Sequence, residues 1–137
     1  MSVIVTDTGF GPDDFTADWT DFEGQPAKHL HIASDTDPAA LTQALDGVES
    51  LRIDFPSFSD GRGFTLAKLA RMSGFTGRLR AHGHVISDQY AMARRSGFDE
   101  VEIPDDLAAR QTEDQWLFRA DWQAHDYQTR LKSRANA

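Results

Sequence analysis

No cysteine occurs among the 137 residues, so disulfides, thiolate metal sites, iron–sulfur ligation and cysteine nucleophiles are all excluded. Long apolar runs are missing too: nothing approaches the roughly 18 consecutive apolar residues of a spanning helix. The opening Met1-Ser-Val-Ile-Val-Thr-Asp7 has neither a basic start nor an extended apolar stretch, so no secretory signal is expected and the chain reads as cytoplasmic. Positive charge is scarce. Fourteen Lys and Arg stand against 22 Asp and Glu, and the formal net charge of −8 disfavours nucleic acid or an anionic membrane as the main partner. The first 27 residues hold no Lys or Arg at all, only the acids Asp7, Asp13, Asp14, Asp18, Asp21 and Glu23.

What positive charge exists is concentrated. Residues 52–95 carry eight bases (Arg52, Arg62, Lys68, Arg71, Arg78, Arg80, Arg94, Arg95) against three acids (Asp54, Asp60, Asp88), a local +5 that leaves −13 elsewhere. A cationic middle in an acidic chain suits a small anion or an acidic protein face, or else consists of scattered solvated arginines. Length and the 39% hydrophobic content fit one domain with a single core, covering residues 1–137.

The pattern along the chain alternates strands and helices. Residues 1–28 read as a hairpin or irregular lead-in without evident chemistry, anchored by Phe10, Phe15, Trp19 and Phe22. His29-Leu-His-Ile-Ala33 is a strand, and Asp37-Pro38 opens a helix with a capping acid and proline at its first position. Leu51-Arg-Ile-Asp-Phe55 is a strand stopped by Pro56, and a helix runs from about Phe64 to Met72. Residues 78–85 form a strand, 88–97 a helix, 98–103 a strand, and a C-terminal helix follows Pro104, carrying Leu107, Trp116, Leu117 and Phe118. Residues 129–137 read as a flexible tail. The order predicts an α/β domain of consecutive βαβ units with a mainly parallel sheet, open or half-barrel-like, plus a C-terminal helix. A half-barrel would leave an exposed edge, which favours self-association into a homo-oligomer.

In parallel α/β folds, ligands sit beyond the C-terminal ends of strands. The turn Ser57-Phe-Ser-Asp-Gly-Arg-Gly63 occupies that edge after one strand, and His82, Gly83, His84 and Asp88 occupy it after the next. Asp60-Gly61 suits a tight turn with positive φ, Gly63 permits close backbone approach at a helix start, and Arg62 adds a planar donor fork. With Arg80 projecting from the neighbouring strand, the expected ligand is an oxyanion or a carboxylate. The same residues also have plain structural readings: Asp60 caps the helix, Arg62 pairs with Asp60 or Asp88, and Arg80 is a buried ion-pair partner. His82 and His84, like His29 and His31, lie two apart on a strand, but no further ligand pattern accompanies them and no metal is expected.

On these residues the chain resembles a bacterial family of unknown molecular function, whose genes usually neighbour those of assimilatory sulfite reductase. Its members are commonly labelled oxidoreductases of sulfite reduction. The resemblance runs over residues 31–123. It rests on Ile53-Asp-Phe-Pro-Ser-Phe-Ser-Asp-Gly-Arg-Gly-Phe-Thr65, Gly77-Arg-Leu-Arg-Ala-His-Gly-His-Val85, Asp88-Gln89, Arg95-Ser-Gly-Phe98 and Trp122-Gln123. The family pattern includes Asp60, Gly61, Arg62, Gly63, Arg80, Gly83, Asp88 and Gln89, whereas His82, His84 and Trp122 stand where other residues are usual. No flavin or nicotinamide fingerprint and no haem or cluster ligation accompanies the oxidoreductase label. The resemblance therefore implies a chain without a cofactor of its own, assisting sulfite reductase or its electron-supply proteins.

The expected site comprises Asp60, Gly61, Arg62, Gly63, Arg80, His82 and Asp88, binding an anionic ligand or a partner. Two rival readings stand beside it. One is a small enzyme in which Asp60 or Asp88 moves protons on an anionic substrate held by Arg62 and Arg80. The other is a pure interaction module whose glycine turn only shapes the fold.

Overall fold

The βαβ alternation is realised as a seven-stranded open sheet in a computed structural model that describes residues 2–25 and 27–123. The expected tail at 129–137 lies outside the described residues. The strands are β1 (Ser2–Thr6), β2 (Gly9–Gly11), β3 (Thr20–Asp21), β4 (His29–Ile32), β5 (Ser50–Phe55), β6 (Arg78–Gly83) and β7 (Glu100–Pro104). The helices are α1 (Pro38–Ala44), α2 (Arg62–Met72), α3 (Tyr90–Ser96), α4 (Asp105–Arg110) and α5 (Glu113–Leu117). The spatial order is β2-β1-β7-β6-β5-β4-β3. Strands β3 to β7 are mutually parallel, while β1 runs antiparallel to both β7 and β2.

Strands β4, β5, β6 and β7 are neighbours in sequence order, joined by α1, α2 and α3. Crossovers of one hand along such a series place every helix on the same face and create no point where strand order reverses. The two faces of the sheet therefore differ completely. On the helix face, Leu30, Ile32, Leu51, Ile53, Phe55, Leu79, Ala81, Val101 and Ile103 are all at most 1% exposed. They pack with Leu41, Phe64, Leu66, Tyr90, Phe98 and Trp116 of the covering layer. Each fully buried Leu, Ile or Phe of this kind contributes about 1.5–3 kcal/mol. The opposite face, read from the alternate positions of the same strands, carries His29, His31, Arg52, Asp54, Arg78, Arg80, His82, Glu100 and Glu102.

Several local expectations are refined. The lead-in contains the β1–β2 hairpin, then crosses the charged face of the sheet and ends in β3 at the opposite edge. Residues 88–97 are a 3-10 turn (Ser87–Gln89) followed by α3, which Gly97 ends in the left-handed conformation at φ 112°. The single expected C-terminal helix is two short ones, because Gln111 takes an extended ψ of 90° between α4 and α5. Trp116 of the second packs edge-on against Tyr90 at 6.0 Å.

Candidate functional site

The turn between β5 and α2 is built around Asp60. One of its carboxylate oxygens accepts from the Arg62 backbone amide (3.2 Å) and Nε (3.0 Å), the other from Arg62 Nη2 (2.8 Å) and Ser34 Oγ (2.8 Å). The Arg62 guanidinium, the Ser34 hydroxyl and the Arg62 amide together hold the Asp60 carboxyl well below the usual carboxylate range. The anion that answers this helix start and the arginine fork is thus the chain's own. Arg62 nevertheless keeps 62% of its side chain exposed, beside a cleft of about 310 Å³ that also includes Ser34, Asp37 and Leu66.

Neither glycine of this turn has positive φ, and packing requires only the second. Gly61 has φ −86°, against the expected left-handed turn, and open space where a Cβ would lie. A Cβ on Gly63 would stand 2.5 Å from the Phe55 ring, so the close approach this glycine permits is to a core aromatic. The following turn does come alongside, as expected. Gln89 Nε2 donates to the Phe58 carbonyl at 2.7 Å, and the neighbouring Asp88 pairs with Arg119 at 3.0 Å. Phe58 itself is 58% exposed and Phe118, next to Arg119, is 77% exposed.

Arg80 is placed elsewhere, which corrects the expectation that it shares a pocket with Arg62. It lies in mid-strand on the charged face, 0% exposed, and among the described residues it has no ion-pair partner in common with Arg62. Its guanidinium donates to Glu100 (3.2 Å), Glu102 (2.9 Å) and, through two parallel bonds of 3.1 Å, Asp13. Burial works against the charge, but the carboxylates of Asp13, Glu100 and Glu102 outweigh it and raise the Arg80 pKa. Arg78 next to it is bonded by Asp14 (2.6 Å) and by Glu100. Phe15 and Trp19 stack on each other at 4.2 Å, both rings about 5.6 Å from the Arg80 guanidinium carbon, and Trp19 lies 4.8 Å from that of Arg52. Of the cationic middle, Arg52, Arg78, Arg80 and Arg94 are therefore paired with carboxylates of the acidic lead-in or β7, whereas Arg62, Lys68 and Arg95 stay exposed.

The lead-in covers the beginnings of β4–β6 and leaves their ends open. There Asp54 of β5, His82 of β6 and Glu102 of β7 stand in register on one face. His82 Nδ1 lies 2.9 Å from Asp54 Oδ1, and its Nε2 3.6 Å from Glu102 Oε2. Arg52 bonds Glu102 Oε1 at 3.3 Å and donates from Nε to His31 Nδ1 at 2.9 Å. Burial raises the Glu102 pKa, yet Arg80, His82 and Arg52 prevail and lower it, while burial and Arg52 lower that of His31. A cleft of about 500 Å³ opens over Asp54, His82, His84 and Glu102. Among the described residues no group of three or more His, Asp or Glu is arranged to hold a metal ion. Sequence reasoning placed His82 near the site but passed over Glu102. The signal available was the shared outward parity of positions 54, 82 and 102 on three adjacent strands.

Together these features define an open-sheet α/β protein, covered by helices on one side and bearing a charged, partly strapped face on the other. The chain belongs to the family described as "Bacterial protein of unknown function (DUF934)", matched over residues 29–136. No curated protein matches it, and no solved structure does. No helix of the described residues is long and apolar enough to cross a membrane.

Proposed function

We propose that this chain is a cytoplasmic accessory protein of assimilatory sulfite reduction, docking on sulfite reductase or on the proteins that supply its electrons. The observation that carries this reading is the hydrogen-bonded turn at residues 57–63. Asp60 locks its backbone and Gln89 ties it to the next loop, so that Phe58 and Arg62 are held outward on the C-terminal edge of the sheet. An exposed aromatic beside an arginine that is already oriented is the composition of an interface anchor. The motif resemblance supplies the pathway. Because Asp60 already occupies the cationic end of the turn, the geometry supports a protein face more than a free oxyanion.

The enzyme reading through Asp60 or Asp88 has less support. Asp60 spends both oxygens on four donors, and Asp88 is a surface partner of Arg119. The test is a pull-down of sulfite reductase and its electron donors by the tagged chain, repeated with Phe58→Ala/Arg62→Ala. The wild type retains a reductase component. The double variant loses at least about tenfold in affinity, one 1.4 kcal/mol step, with an unchanged melting temperature. Absence of any association, together with normal growth of a deletion strain on sulfite, sinks the reading.

A further inference from the structure

The Asp54–His82–Glu102 row has the parts of an acid–base device, independent of the turn at residues 57–63. His82 Nδ1 is committed to Asp54 at 2.9 Å, whereas Nε2 stands 3.6 Å from Glu102, beyond hydrogen-bond reach. Glu102 is held in place from its other oxygen by Arg80 and Arg52, and the His31 ring packs edge-on to His82 at 5.6 Å. The imidazole is therefore held by the Asp54 hydrogen bond and flanked by His31 and the Glu102 carboxylate. Its side chain is 35% exposed, and it opens into the cleft of about 500 Å³ whose walls include Pro56, Ile103 and Pro104. Among the described residues no Lys or Arg lines this cleft, and two carboxylates do, which disfavours an anion.

We infer that this cleft is a proton-transfer site in which His82 acts on a small neutral or cationic molecule bearing an O–H or N–H group. Asp54 is the positioning residue: by accepting from Nδ1–H it leaves Nε2 of the neutral ring without a proton. The substrate's O–H or N–H bond breaks, its proton passes to Nε2, and the bonding electron pair stays on the substrate atom. The imidazolium so formed lies between the carboxylates of Asp54 and Glu102. Return of the proton regenerates the neutral ring, and no oxidant or second reactant is needed.

Two measurements on the intact chain test this. Nitrogen-15 NMR above the titration range of an ordinary imidazole reports which ring nitrogen is protonated. His82 shows the Nδ1–H tautomer, and Asp54→Ala abolishes that preference. Diethyl pyrocarbonate then probes the free nitrogen. Nε2 attacks a carbonyl carbon, the C–O bond to the ethyl carbonate leaving group breaks, and peptide mapping reads the acylated residue. His82 is modified about tenfold faster than His84, which lines the same cleft, and Asp54→Ala removes that advantage. An Nε2–H tautomer in the wild type, or a His82 rate no greater than that of His84, overturns the proposal. Both of those readings come from the wild type, so they stand even where Asp54→Ala does not fold.

Discussion

At the residue scale, Gly61 and Gly63 look alike in the sequence and differ in the structure. Gly61 has φ −86° and nothing within 4 Å of a would-be Cβ, so Gly61→Ala leaves stability within about 0.5 kcal/mol or raises it slightly. A Cβ on Gly63 meets three ring carbons of Phe55 at 2.5–2.8 Å. That ring is 1% exposed and wedged against Phe64 and Phe98 at 4.9 and 5.8 Å, so it has no room to swing aside. Gly63→Ala therefore costs about 1–2 kcal/mol, an overpacking loss partly offset by the helix propensity gained. Urea midpoints of the two variants measure the contrast, and equal midpoints refute it. The sequence made the pairing of Asp60 with Arg62 legible, since both lie within one turn. The reason for Gly63 was hidden because its partner sits eight positions earlier, on the far side of a proline turn.

At the element scale, the ends of several strands and helices meet at Arg71. From the last turn of α2 its guanidinium donates to the carbonyls of Gly97 (3.0 and 2.8 Å), Gly77 (2.8 Å) and Phe75 (3.2 Å), and to Asp99 (3.1 Å). One side chain thus holds the end of α2, the end of α3 and the entry to β6. Gly97 is the matching half: a Cβ there would strike the Arg71 stem at 2.6 Å. Arg71→Lys keeps the charge but loses the fork, and costs about 1–2 kcal/mol by thermal or urea unfolding. A loss below about 0.5 kcal/mol would mean that water satisfies those carbonyls equally well. Strand and helix spacing revealed the βαβ series, because each element carries its own period. The path of the lead-in was not legible: its aspartates have no periodicity, and their partners Arg80 and Arg78 come 67 and 64 residues later.

For the whole molecule, the decisive feature is that opposite charges are segregated in sequence and recombined in space. The acidic lead-in closes on the arginines of the sheet, and Asp7 of the hairpin takes the Tyr90 hydroxyl at 2.5 Å and Arg94 at 3.2 Å. Burial opposes the ionised carboxyls of Asp7, Asp13 and Glu102, yet their donors prevail and all three are lowered on folding. A carboxyl lowered in the fold takes up its proton first in the unfolded chain. The stability it provides is complete above the ordinary carboxylate range, near about pH 4, and drains away as pH falls toward the folded values. Asp13→Asn isolates one share of this. At neutral pH the variant unfolds at lower urea, by about 1 kcal/mol; the modest figure reflects a side chain one-third exposed and an Arg80 that keeps Glu100 and Glu102. Below about pH 4 the wild-type advantage shrinks, because the wild-type Asp13 then protonates as well. Arg80 itself is 0% exposed, so added salt reduces the neutral-pH difference far less than it weakens the pair of Arg78 with Asp14, whose carboxylate is 74% exposed. A difference between Asp13→Asn and wild type that stays constant from neutral to acid pH would mean that the strap closes by its aromatic stack alone, with Asp13 contributing shape and no charge.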